Sequence, residues 1–92
     1  MKKVKLFYLE GCPYCKKAFK AIDELVAENP AYGEIEIERL EETQSAAEAS
    51  KYDYYYVPTI FFGDAKLYEA SPSQNYDDIK ASVKGAFDKV IG

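Results

Sequence analysis

Cys12-Pro13-Tyr14-Cys15 places the only two cysteines of this 92-residue chain three positions apart. On a helix that spacing is close to one turn, so both thiols lie on one face. Two thiols so placed can run thiol–disulfide exchange. One thiolate attacks a disulfide, and the other then attacks the mixed disulfide and releases the product. The chain contains no His. Ser-His and Cys-His nucleophile machineries are therefore absent. The cysteines supply two ligands toward the four of a zinc site, without His or a second pair to complete it. An iron–sulfur cluster shared between two chains, with outside thiols as further ligands, is the non-catalytic reading of the same pair.

The elements around the pair favour exchange chemistry. Val4 to Leu9 is an apolar run that reads as a strand covered on both faces. Gly11-Cys12-Pro13 breaks it, and Pro at the first turn of a helix is well placed because its missing N–H has no partner there. The following helix runs from about Pro13 to Glu28, with Phe19, Ile22, Leu25 and Val26 as its apolar stripe. Asn29-Pro30 and Gly33 end it. Cys12 therefore stands at a helix N-terminus, where free N–H groups and the helix dipole favour a thiolate. Lys16, Lys17 and Lys20 oppose the dipole but help hold a nearby anion. Cys15, one turn in, is the more buried thiol.

Glu34 to Glu38 alternates Glu with Ile35 and Ile37, the pattern of a half-buried edge strand. Ser45-Ala46-Ala47-Glu48 has the form of a capping box and predicts a short helix ending near Tyr52-Asp53. Thr59 to Phe62 is a strand, Gly63-Asp64 a turn, and Ala65 to Ala70 the returning hairpin partner. Asn75 caps a last helix lined by Tyr76, Ile79, Val83, Phe87 and Val90. The order is β-α-β-α-β-β-α, a mixed α/β sheet with helices on both faces. The first two strands are expected to be parallel with a right-handed crossover. Val57-Pro58 enters the third strand, and a cis bond there makes a tight turn that exposes the Val57 backbone. Tyr52, Tyr54, Tyr55 and Tyr56 crowd just before it, either as packing at a helix end or as the rim of a groove.

Composition sets the outer bounds. The length gives one domain over residues 1–92. With 12 Lys and Arg against 16 Asp and Glu, the net charge is −4; a mildly acidic chain without a basic tract is not expected to bind nucleic acid. No apolar stretch approaches a membrane span, and the start lacks the long apolar core of a signal peptide, so a cytoplasmic monomer without membrane contact is expected.

Together these residues resemble the glutaredoxins of the thioredoxin superfamily. Cys-Pro-Tyr-Cys is similar to the active-site tetrapeptide of dithiol glutaredoxins, and Val57-Pro58 to the superfamily's cis-proline loop. The resemblance, strongest over roughly residues 1–70, implies a thioredoxin-like fold with strands in the order 2-1-3-4. It implies Cys12 as attacking thiol, Cys15 as resolving thiol and Pro58 as the cis proline beside the disulfide. It gives Val57 main-chain contacts to glutathione and sets Tyr14 beside the groove. It places Asp77 and Asp78 at the γ-glutamyl end. Two features depart from the pattern. Gln74 and Asn75 stand where a glycine pair is usual. Glu10 stands near the first Cys where a basic residue is usual, with Lys16 or Lys51 as substitutes.

The implied activity is reduction of protein disulfides or glutathione mixed disulfides, with no tightly bound cofactor. Glutathione or another low-molecular-weight thiol is the co-substrate. The close alternative is a thioredoxin-like carrier reduced by a flavoprotein reductase.

Overall fold

The computed structural model describes residues 2–92. Strand β1 (Lys3–Tyr8) leads into helix α1 (Pro13–Glu28); β2 (Glu36–Glu41), the one-turn helix α2 (Ala46–Ala49), the hairpin β3 (Thr59–Phe62) and β4 (Ala65–Glu69), and helix α3 (Tyr76–Ile91) follow. The sheet order is β2-β1-β3-β4, with β1 parallel to β2 and antiparallel to β3, and β3 antiparallel to β4. This is the expected 2-1-3-4 order. It puts the apolar β1 and β3 in the middle and the Glu-rich β2 at an edge, where Lys3 pairs with Glu36 and Glu38 at 3.6 and 3.3 Å. No helix among the described residues is long and apolar enough to cross a membrane.

Alternation divides β1 between two cores. Val4 and Leu6 face α1 and α3, packing with Ala18, Ile22 and Leu25 of α1, Ile60 of β3, and Ile79, Val83, Phe87 and Val90 of α3. Ala18 and Ala21 are fully buried, so the buried face of α1 turns toward small residues and leaves Phe19 and Val26 only partly covered. Phe7 points to the opposite side. There Tyr52 and Tyr54 close over it with ring centroids at 5.2 Å each, and Phe61 meets Tyr52 at 4.7 Å. The second face therefore has one short helix, and two tyrosines supply much of its cover.

Three local readings are corrected. A 3-10 turn over Pro30–Glu34 follows α1. It buries Tyr32 against Phe87 at 5.7 Å, and its hydroxyl donates to Asp88 at 2.5 Å. Strand β2 consequently begins two residues late and runs on to Glu41, because its length is set by pairing with β1 from Lys3↔Glu36 to Tyr8↔Glu41. The capping box at Ser45 does not form: Ser45 precedes α2 without a side-chain cap bond, and α2 stops at Ala49. Glu48 instead pairs with Lys5 on the sheet and with Lys51. An ion pair to a neighbouring element has outcompeted a local cap.

Candidate active site

The cysteines sit where β1 hands over to α1. Gly11 has φ +77°, a left-handed conformation that glycine adopts without strain. The Cys12 N–H then returns to the Leu9 carbonyl at 3.3 Å, closing the turn. Cys12 is the N-cap of α1, Pro13 follows in its first turn, and the Cys15 N–H donates to Cys12 Sγ at 3.4 Å. A first-turn N–H that the helix cannot satisfy is thus aimed at the sulfur. On its other side the Cys12 thiol donates to the Val57 carbonyl at 3.8 Å. Both thiols are free.

The two sulfurs have different surroundings. Cys12 is half-exposed, whereas Cys15 is 1% exposed. Burial pushes the Cys15 thiol up to about 12, against a lowering contribution from the Leu9 backbone, while Cys12 and Glu42 push it further up. One thiol is open to a partner; the other is held neutral behind it.

The Val57-Pro58 bond is cis. Pro58 is fully buried, and its carbonyl accepts the Ala70 N–H at 3.0 Å, which locks the turn to the end of β4. The Thr59 hydroxyl, also buried, donates to the Tyr68 carbonyl at 2.9 Å. Tyr14 extends from the first turn of α1 to the loop before α3, where its hydroxyl donates to the Pro72 carbonyl. Cys12 is therefore tied to Val57 beside the cis proline and to Cys15 behind it, while Tyr14 bridges α1 and the loop before α3.

Asp77 and Asp78 lie in the first turn of α3. Asp78 is occupied by a capping box: its N–H donates to Asn75 Oδ1 at 2.8 Å, and its carboxylate accepts the Asn75 N–H at 3.2 Å. Of the three lysines of α1, Lys16 is exposed beside the cysteines, and the other two are engaged with aromatic rings. Lys17 lies over the Tyr14 ring at 5.7 Å and Lys20 over Tyr76 at 4.9 Å. Lys51 pairs with Glu48. Among the described residues, no three His, Cys, Asp or Glu side chains converge as a metal site.

Two residues of consequence have no local sequence signal. Gln74 is a strut under the α3 loop: its amide oxygen accepts from the Tyr68 hydroxyl at 2.9 Å and the Ser71 N–H at 3.2 Å, and its amide nitrogen donates to Ser82 at 3.3 Å. Glu69 reaches back across the hairpin to accept the Tyr55 and Tyr56 N–H groups at 2.6 and 2.9 Å. Only the pairing of β3 with β4, Thr59 opposite Glu69, brings that carboxylate to the loop.

Comparisons with known proteins place this arrangement. A search of the curated proteins found no match. Among solved structures, a malarial protein is 21% identical with a TM-score of 0.60, over 89% of this chain and 92% of its own. The germline-specific thioredoxin Deadhead of Drosophila melanogaster is 12% identical with a TM-score of 0.65, over 96% and 79%. A mutant thioredoxin of Halobacterium salinarum is 20% identical with a TM-score of 0.57, over 92% and 74%. At these identities the likeness is one of fold, and the fold is that of thioredoxin. The glutaredoxin family model matches residues 4–66, more than half of the sequence and inclusive of both cysteines and Val57-Pro58. The chain belongs to the glutaredoxin family of thiol–disulfide oxidoreductases.

Proposed function

We propose that this protein reduces protein disulfides or glutathione mixed disulfides through a Cys12/Cys15 dithiol. The observation that carries the reading is the pairing of a half-exposed Cys12, its sulfur accepting the Cys15 N–H, with a Cys15 buried directly behind it. In the first step the Cys12 thiolate bonds to one sulfur of the substrate disulfide. The S–S bond breaks, and the departing thiolate takes a proton from solvent. In the second step Cys15 gives up its proton and attacks Cys12 Sγ, and the second substrate thiol leaves. The substrate gains two electrons and the protein ends as the Cys12–Cys15 disulfide. Two equivalents of glutathione or another low-molecular-weight thiol restore the dithiol and leave as their own disulfide.

A second reading keeps both steps and changes the donor to a flavoprotein reductase. It is supported by the capping box at Asn75 and Asp78, which uses groups that a bound glutathione would otherwise take. The test is NADPH consumption during reduction of a small mixed disulfide, with glutathione and glutathione reductase supplied. Turnover that disappears in Cys12→Ser supports the glutathione reading. If turnover comes only with a thioredoxin reductase, the donor is the flavoprotein; if Cys12→Ser retains full activity, the dithiol mechanism fails.

A further inference from the structure

Residues 53–58 lead into β3 without regular secondary structure. Their N–H groups have no ladder to donate to and need partners elsewhere. Glu69, the last residue of β4, supplies two of them. One of its carboxylate oxygens accepts the Tyr55 and Tyr56 N–H groups at 2.6 and 2.9 Å. The other accepts from Lys66 at 2.7 Å, and Lys66 also donates to the Asp53 carbonyl at 3.3 Å. One residue further on, the Ala70 N–H donates to the Pro58 carbonyl at 3.0 Å. Two consecutive residues at the end of β4 therefore hold the chain on both sides of Val57.

Between those two holds, the Val57 carbonyl accepts the Cys12 thiol at 3.8 Å. With Tyr56 and Pro58 both pinned, the Val57 peptide has little freedom to turn its oxygen toward water. The contact depends on redox state. It needs the hydrogen on Cys12 Sγ, and that hydrogen is gone once the sulfur enters a disulfide. A bond that only the dithiol can make stabilises the dithiol relative to the disulfide.

We propose that Glu69 is a positioning residue for the redox couple: by holding the Tyr55 and Tyr56 N–H groups it keeps the Val57 carbonyl against the Cys12 thiol, and so favours the reduced protein. This rests on the dithiol reading above and deepens it. Part of the control over the Cys12–Cys15 equilibrium then lies on β4 and acts through the backbone of residues 55–57.

The test is the equilibrium of the protein with oxidised and reduced glutathione. One oxidised glutathione takes two electrons and two protons from Cys12 and Cys15 and leaves as two thiols; the S–S bond of the protein forms as that of glutathione breaks. Samples over a series of glutathione ratios are quenched with acid, alkylated and counted by mass spectrometry. In Glu69→Ala the proportion of disulfide to dithiol at a given ratio is expected to rise about threefold, the scale of one weak hydrogen bond. Glu69→Gln keeps an oxygen for the two N–H groups and drops the charge, so it is expected to stay close to the unsubstituted protein. A loss of stability shared by both redox forms cancels from this proportion. No rise in Glu69→Ala overturns the proposal. An equal rise in Glu69→Gln overturns it too, because the effect then belongs to the charge of Glu69 and not to its hold on the loop. Amide hydrogen exchange of the unsubstituted reduced protein requires no variant to fold. Tyr55 and Tyr56 are expected to exchange about tenfold more slowly than unbonded amides, and exchange at the unbonded rate overturns the hold itself. If the unsubstituted protein forms no Cys12–Cys15 disulfide at any glutathione ratio, the dithiol reading falls and the role in the couple falls with it; slow exchange at Tyr55 and Tyr56 would then leave Glu69 as a loop fastening alone.

Discussion

The Cys15 N–H points at Cys12 Sγ from 3.4 Å, while the Cys15 side chain lies buried behind that sulfur. In the proposed exchange one residue thus supplies both a hydrogen-bond donor to the Cys12 sulfur and the thiol that later attacks it. The two roles separate on substitution. Cys15→Ser keeps the N–H and removes the resolving thiol, so it is expected to form the mixed disulfide and stop there. Cys12→Ser is expected to form none. Mass spectrometry of each variant after exposure to a glutathionylated peptide reads the adduct directly. A stable adduct on Cys12→Ser would reverse the assignment.

The same asymmetry predicts selective alkylation. Burial pushes the Cys15 thiol up to about 12, so at mildly alkaline pH it is protonated as well as covered. Iodoacetamide should label Cys12 alone in the native reduced protein, and both cysteines once denaturant is added. Comparable labelling of both in the native state would show that Cys15 is neither shielded nor held neutral.

Helix α1 and strand β3 were readable from the sequence, and the reasons are local. Pro13 marks the first turn, Asn29-Pro30 stops the helix, and Gly63-Asp64 sets the hairpin with Gly63 at φ +61°. The placement of the cysteine pair was readable for the same cause, since its spacing and its strand-to-helix junction are both encoded within a few residues. Where the reading missed, a distant partner decided. The β1 ladder set the length of β2, and Lys5 drew Glu48 away from a cap at Ser45. The burial of Tyr32 follows from Phe87 and Asp88, more than fifty positions later. Likewise, nothing in Tyr54-Tyr55-Tyr56 tells which ring turns inward. That is settled by Phe7 on one side and Glu69 on the other.

Glu69 gives the fold an acid-sensitive fastening. Lys66, then the Tyr56 and Tyr55 N–H groups, lower its carboxyl from 4.5 to about 2. A depressed folded value means that the native state favours the ionised form. The resulting stability is complete above pH 4.5 and is lost as pH falls toward about 2. Urea unfolding across that window should show a steeper acid loss in the unsubstituted protein than in Glu69→Gln, which cannot titrate. Parallel curves for the two proteins would remove Glu69 from the account of acid stability.

Helix α3 offers a measurable contrast between capping and packing. Asn75 and Asp78 exchange hydrogen bonds at its N-terminus, so Asn75→Ala should cost about 1 kcal/mol.

At the other end of the same helix, Phe87 is fully buried against Tyr32 and belongs to the main core beneath β1. Removing its ring loses the transfer free energy of the aromatic group and leaves a cavity that close-packed neighbours fill only in part. Phe87→Ala should therefore cost about 3–5 kcal/mol. The stability of a small domain is itself only about 5–15 kcal/mol, so this loss is a large share of the whole. Urea midpoints of the two variants separate the effects: Asn75→Ala shifts the midpoint slightly, whereas Phe87→Ala lowers it several times as far. Reduced Phe87→Ala that still folds should retain thiol exchange at Cys12, because the ring lies far along α3 from the Cys12–Val57 contact. Equal, small shifts for both variants would mean that the pocket around Phe87 collapses on truncation and that packing at this end of α3 contributes little.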